Sequence, residues 1–354
     1  MKSVPHPIAG SFLLALTALN IAAGEVRGSR STSQPCDKNA RRFTFSEAHM
    51  GTIFRIVLYA PDATTAEKAS RDAFDRVTAL DNTMSDYKPE SELMRLCTAA
   101  GGPTVKVSQD LYRVLTAAQE LAARSDGAFD VTVGPVVRLW RRARRRHELP
   151  DPSRLAQALA LVGYRNLVLD PKQRTARLLK PDMMLDLGGI AKGYAADEAL
   201  NVLQRDGITS ALVAAAGDIA CSRPPPGRGN WRIEIADPAP STKSADKSTR
   251  YLLLHDAAVS TSGDAEQHLD AGGQRYSHII NPATGMALTG HRSVTVVAPR
   301  GITADSYAVA VCVLGTKRGL ELIDSTEGTS ALVVETSGQS FRHFESRRPL
   351  PHGN

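Results

Sequence analysis

DLGGIAKGYAADEALNVLQRDG, residues 186–207, opens in a Gly-rich turn and continues as an amphipathic helix. Ala191, Tyr194, Ala195, Ala199, Val202 and Leu203 recur at helical spacing and predict one buried stripe, and Gly207 ends it. A strand is expected to end at Asp186, which would make the unit strand, turn, helix. Free amides at a helix start point at whatever sits before it. Gly188, Gly189 and Gly193 let a ligand approach the backbone closely, and Lys192 adds positive charge. The set suits a phosphate or pyrophosphate. It is neither GxGxxG nor a P-loop, and a tight turn with a solvated Lys192 accounts for the same residues.

On the N-terminal side, Phe43 to Tyr59 reads as two strands around Met50-Gly51, the second carrying TIFRIVLYA. Asp62 to Leu80 reads as a helix with Asp62 at its cap. The loop MSDYKPESEL, 84–93, precedes a helix over Gln109 to Arg124, then GAFDVTVGP, 127–135, and an Arg-rich helix. A short helix spans Leu155 to Val162, with strands near Leu167 and Ala176. Beyond Gly207 the chain is mainly strands, near 211–215, 231–235, 251–254, 259–261, 277–280 and 294–297. Two helices and a strand close the pattern. No repeat or composition break divides it. The expectation is one α+β domain over residues 41–345, two-lobed, with a mixed or antiparallel sheet and flanking helices, then a polar tail over 346–354.

The 354 residues carry 43 Lys plus Arg against 37 Asp plus Glu, a net charge of +6. Arg138 to Arg146 holds six arginines and no acid, so the rest of the chain is neutral. One local cluster does not make a general nucleic-acid binder, and no aromatic platform accompanies it. The apolar fraction of 42% excludes disorder as the overall state. Lys2 precedes the apolar run Ile8 to Gly24, which is shorter and more polar than a spanning helix requires and closes on Ala22-Ala23-Gly24. Residues 1–24 read as an export signal, the competing reading being an uncleaved anchor, and 25–40 as a flexible polar tether. The mature protein is expected outside the cytoplasm, periplasmic or membrane-associated. Cys36, Cys97, Cys221 and Cys312 form no CxxC pair, and export permits a disulfide among them. A buried free thiol suits Cys312, which sits in an apolar run.

Three further segments carry chemistry. In RYSHIINPATG, 275–285, His278 lies in a strand running into an Asn-Pro turn, beside Ser277, Asn281 and Thr284. A strand histidine is commonly a satisfied core residue, yet polar strand ends are where sites sit. VSTSGDAEQH, 259–268, lines a pocket or simply turns the chain. In GITADSYAVAVCVLG, 301–315, Asp305 heads an apolar helix, either as a cap or as a hard oxygen ligand for Mg²⁺.

The order and wording of MGTIFRIVLY, MSDYKPESELMRL, GAFDVTVGP, LDLGGIAKGYAAD, STSGD, YSHIINPATG and the TAD helix ending VLG resemble the FAD:protein FMN transferases, the ApbE-type flavin transferases. The resemblance runs from about Phe43 to about Val334. It implies an enzyme that splits FAD at its pyrophosphate, passes FMN to a threonine hydroxyl of an acceptor flavoprotein and releases AMP, with Mg²⁺. A few relatives hydrolyse FAD instead. By position in the matching blocks, Asp305 is implied as the metal carboxylate and Gly189 as a backbone metal ligand. Met50, Tyr87, Ala128, Phe129, Asp130, Asp186, Lys192 and Ile280 are implied as flavin-nucleotide contacts. His278 is the candidate for the base, or for orienting the acceptor hydroxyl.

Two positions depart from that pattern. Val309 stands where relatives often have a metal-binding Thr, which implies weak metal affinity or binding only with FAD. Ala216 stands where relatives often have Gly. DATTAE, 62–67, is the nearest match to an acceptor motif and reads as a helix cap, so self-modification is not expected. The Arg cluster reads either as a solvated helix face or as a dock for an acidic acceptor or an anionic membrane. The functional alternatives are an FAD pyrophosphatase and an exported flavin carrier that has lost catalysis.

Overall fold

The computed structural model describes residues 40–235, 250–263, 268–290, 292–337 and 340–353. The segment expected as signal, 1–24, and all but the last residue of the expected tether, 25–40, lie outside the described residues, as does Cys36.

Eight strands form a central sheet whose spatial order follows chain order: Arg41–His49, Thr52–Ala60, Ala211–Ala215, Asp218–Cys221, Ala257–Gly263, Arg292–Ala298, Ser330–Ser337 and Ser340–Glu345. All its ladders are antiparallel. Thr52–Ala60 shows how it is buried. Phe54, Ile56 and Leu58 enter one core and Val57 enters another, as the two-residue period of a strand requires. Ala331 and Val333 oppose Leu332 and Val334 in the same way. Both faces are dry, so these strands are nearly continuous apolar runs.

The helices are α1 (Ala63–Met84), α2 (Glu92–Thr98), α3 (Gln109–Arg124), α4 (Gly134–Arg146), α5 (Pro152–Leu159), α6 (Ala191–Arg205), α7 (Gly301–Leu314) and α8 (Thr316–Asp324). Residues of α1, α2, α3, α6, α7 and α8 share the larger core with the central sheet. On the other face lies an antiparallel sheet of Trp231–Ile235, Arg250–Leu254 and His352–Gly353, whose Trp231, Ile233, Leu252 and Leu254 meet Val57 and Leu212. A third core joins Val136 and Trp140 of α4 and Ala158 of α5 to Leu269, Ile280 and Ala287 of a small sheet. Trp140 is fully buried, and its Nε1–H donates to Gly285 O at 2.8 Å. The α+β class with flanking helices holds.

Local chemistry explains the helix starts. Asp62, Ser91, Ser108 and Asp151 accept backbone N–H bonds at the starts of α1, α2, α3 and α5. For α7 the partner comes from elsewhere: Asp197 of α6 accepts Gly301 N–H at 2.6 Å and Ile302 N–H at 3.1 Å. Asp305 therefore does not head its helix. It sits in the second turn, because the helix starts at Gly301.

The C-terminus also differs from expectation. Residues 346–353 are docked and do not form a free polar tail: Leu350 enters the second core, Ser346 N–H donates to Ala331 O at 3.0 Å, and His352 pairs with Leu252. One buried leucine between prolines leaves no strand pattern in the sequence. Cys97 and Cys221 are buried free thiols, and Cys312 is buried as well.

Candidate active site

The site begins where α6 and α7 touch. A Cβ on Gly193 would lie 2.1 Å from Gly301 O, and one on Gly301 would lie 2.4 Å from Gly193 O. Only two glycines allow this approach. It brings the side chain of Asp305, 2% exposed, against the first turn of α6, where Gly193 N–H donates to Asp305 Oδ2 at 3.0 Å. The amide is one of those a helix leaves without an internal partner.

Lys192, one residue earlier, reaches three groups. Its Nζ donates to Gly188 O at 2.9 Å and lies 3.1 Å from Asp218 Oδ2 and 3.8 Å from Asp305 Oδ1. Asp218 comes from the central sheet, and Ser260 Oγ on the next strand donates to its Oδ1 at 2.5 Å. Burial works against the ammonium, but Asp218 and Asp305 outweigh it and raise the Lys192 pKa above the ordinary value. Asp305 moves the other way: burial first, then the charge of Asp218, push its carboxyl up to about 7 despite Lys192. Two enclosed carboxylates share one ammonium, so the cluster carries one negative charge beyond neutrality when both are ionised.

That excess is what a cation would neutralise. No group of three or more His, Cys, Asp or Glu gathers among the described residues. A pair of hard carboxylate oxygens fits Mg²⁺, which keeps waters and takes phosphate oxygens. Gly189 stands beside this cluster, and its absent Cβ would lie 3.0 Å from Val309 Cγ2 and 3.5 Å from Phe129 Cε2. The position expected to carry a metal-binding hydroxyl thus presents a methyl group to the Gly-rich turn.

Asp186 belongs to the same turn. Its Oδ1 accepts Gly188 N–H at 2.8 Å, and its Oδ2 accepts Arg141 Nη2–H at 2.7 Å. Arg141 of α4 also binds Asp86, and its guanidinium stacks 4.5 Å from the centre of the Tyr87 ring. The Arg cluster is therefore not wholly a solvated face. Arg138, Arg142, Arg145 and Arg146 are exposed, while Arg141 turns into the site.

Of the residues expected to act together, the structure brings Lys192 and Asp305 together directly, and Phe129 lies against Gly189 in the adjoining Gly-rich turn. Asp186 N–H donates to Val131 O at 2.8 Å, tying the 128–130 segment to the Gly-rich turn. Asp130 is buried and caps the next turn, its Oδ1 accepting Thr132 N–H at 2.8 Å and Thr132 Oγ1–H at 2.6 Å. Ala128 is half-buried beside it. Met50 forms the hairpin turn with φ +49°, and Tyr87 is 69% exposed. The Ile280 side chain is buried in the third core, which leaves its backbone for any ligand contact. His278 is exposed on the Gln274–Ile280 strand, between buried Ser277 and Ile279. Asp264, which ends the STSGD block, lies outside the described residues.

Three participants escaped the sequence reading: Asp218, Ser260 and Arg141. Asp218 had a signal, a lone carboxylate in the otherwise apolar strand DIAC. Ser260 opens the STSGD block, which the sequence marked without giving this residue a role, and Arg141 was hidden among five like neighbours.

An antiparallel α+β domain with two carboxylates and an ammonium gathered at a Gly-rich helix start suits the class of phosphate-handling proteins. The ApbE family model matches residues 50–333, and the chain belongs to the ApbE family. It is 31% identical over 303 residues to the FAD:protein FMN transferase of Salmonella typhimurium, covering 84% of this chain and 85% of that one. It is 32% identical over 309 residues to the FAD:protein FMN transferase of Treponema pallidum, covering 83% and 84%. Among solved structures, the flavin transferase ApbE from Vibrio cholerae superposes with a TM-score of 0.77 at 28% identity, covering 87% of this chain and 98% of that one.

Proposed function

We propose that this protein is an FAD:protein FMN transferase that moves the FMN half of FAD onto a threonine hydroxyl of an acceptor flavoprotein, uses Mg²⁺ and works outside the cytoplasm. Transfer of flavin from FAD to a protein follows from membership of the family and from the names of its relatives. The Mg²⁺ requirement, the threonine and the location are the finer reading. The observation that carries it is the meeting of Lys192, Asp218 and Asp305 at the start of α6.

In the reaction the acceptor oxygen bonds to the FMN phosphorus while the pyrophosphate P–O bond breaks, and AMP leaves with the electron pair. The hydroxyl proton goes to a base, for which His278 is the candidate. Bound Mg²⁺ supplies neutralisation of phosphate charge, and Asp305, with the Gly189 carbonyl, would hold it. Lys192, at the start of α6, orients phosphate oxygens. Asp218 keeps the ammonium of Lys192 in place.

The acceptor is a separate protein, and the exposed arginines of α4 offer it, or an anionic membrane nearby, a complementary surface. The test is the intact mass of a threonine-motif acceptor domain after incubation with this protein, FAD and Mg²⁺. The reading predicts a gain of one FMN less water that disappears in Asp305→Ala. One observation favours a second reading. Val309 packs against Gly189 where a hydroxyl would have served a metal, which favours a flavin carrier with weakened catalysis, and FAD binding without AMP release would support that carrier. AMP release that needs no acceptor would indicate a pyrophosphatase instead.

A further inference from the structure

We infer that Arg141 is a positioning residue for the flavin nucleotide: it fastens the Asp86–Tyr87 loop to Asp186 and backs one face of the Tyr87 ring. The ligand class rests on the function proposed above; the geometry stands without it.

Six arginines crowd residues 138–146, and their fates differ. Arg141 keeps only 17% of its side chain exposed, against 15% for Asp86 and 11% for Asp186. Its two terminal nitrogens go to two different carboxylates from segments 100 residues apart in sequence. Without the guanidinium those carboxylates would face one another, since burial and the charge of Asp186 already raise the Asp86 pKa. The ion pairs therefore hold together two segments that would otherwise repel.

The connection continues inward. Asp186 holds Gly188 N–H, and Gly188 O holds Lys192 Nζ, which touches Asp218 and Asp305. It also continues outward. The Tyr87 ring stacks on Arg141 yet stays 69% exposed. One face is supported, and the remaining surface is free to receive a planar ring system. A guanidinium can bridge two carboxylates in its plane while its face meets an aromatic ring; an ammonium cannot do both. Helix α4 is a firm base for this, because Trp140, the residue before Arg141, is fully buried and bonded to Gly285 O.

The experiment uses the full chain and measures FAD affinity by quenching of flavin fluorescence, KM and kcat for FAD, and melting temperature. The variants are Arg141→Met, Arg141→Lys, Asp86→Asn and the double variant Arg141→Met with Asp86→Asn. In Arg141→Met, FAD affinity should fall at least tenfold, KM should rise by more than kcat falls, and melting should drop. Arg141→Lys should recover less than half of the lost affinity on a logarithmic scale. The double variant removes the repulsion, so it should regain melting temperature without regaining FAD affinity. Unchanged FAD affinity in Arg141→Met, or affinity that returns in step with melting temperature in the double variant, would overturn the inference. If the unaltered chain binds no FAD, both this inference and the proposed function fall; binding that is insensitive to Arg141 sinks this inference alone.

Discussion

Gly193 donates its amide to Asp305 Oδ2 at 3.0 Å, and the same glycine is the point where α6 rests on α7. Packing and site geometry thus depend on one missing side chain. Gly193→Ala places a Cβ 2.1 Å from Gly301 O, against backbone that cannot turn aside. Separating the helices should cost about 3 kcal/mol, the upper part of the usual overpacking range. Thermal denaturation should show a clear drop in melting temperature, and turnover at a temperature where the variant is folded should fall at least tenfold. A variant with native melting and native turnover would contradict the contact.

The carboxyl of Asp305 gives a pH dependence with a definite sign. Its folded pKa is raised to about 7 from an ordinary 3.8, so the folded chain holds this proton more tightly than the unfolded chain does. The associated stability is fully present below about pH 4 and is lost as pH rises through about 7. Metal-free protein, kept so with a chelator, should melt lower at pH 8 than at pH 5. Asp305→Asn should flatten that difference. Mg²⁺ competes with the proton, so its affinity should rise over the same interval. A steeper slope in Asp305→Asn would refute the assignment.

Val309 presents a methyl group 3.0 Å from the place a Gly189 Cβ would occupy. Val309→Thr keeps the shape and supplies an oxygen at the Gly-rich turn. Calorimetric titration with Mg²⁺ in the presence of FAD should show affinity at least threefold tighter than in the unaltered protein. No change would mean that this position does not face the metal.

Ala216 has φ +55° at the first position of the two-residue turn joining Ala211–Ala215 to Asp218–Cys221. A side chain is disfavoured there and glycine is not. Ala216→Gly should stabilise the protein by about 0.5–1 kcal/mol, after the greater freedom of glycine in the unfolded chain is offset. Urea denaturation with an unchanged slope would measure it. A destabilised variant would show that the Ala216 methyl group makes a packing contact that outweighs the backbone strain.

The legible parts of this molecule are those with a period. Helix α6 announces itself by apolar residues every three to four positions and a Gly-rich entry, and the first hairpin by alternation around Met50-Gly51. Helix α7 has no such phase. Ile302, Ala304, Asp305, Ser306, Tyr307, Ala308, Ala310 and Val311 are all buried, so no face stands out and neither its start nor the direction of Asp305 could be read. The N-terminal cap that would have marked the start is Asp197, more than 100 residues away. Arg141 was unreadable for a different reason. Charge counting treats six arginines alike, and the turn of α4 that aims one of them at Asp186 is set by Trp140 entering the third core. Ser260 and Asp218 meet only because neighbouring strands place them side by side, which is information held in the register and not in either segment.

The central sheet adds its strands in the order in which the chain supplies them, with one long interruption. Residues 61–210 separate the hairpin Arg41–Ala60 from the strand Ala211–Ala215 that pairs with it. During synthesis or refolding, the open edge of Thr52–Ala60 has no partner until those residues have emerged and α6 has brought the next strand back. Closing so long a loop is slow, and an apolar edge left waiting invites pairing with another copy. The late capture of this hairpin is therefore the step at which assembly of the protein competes with its aggregation.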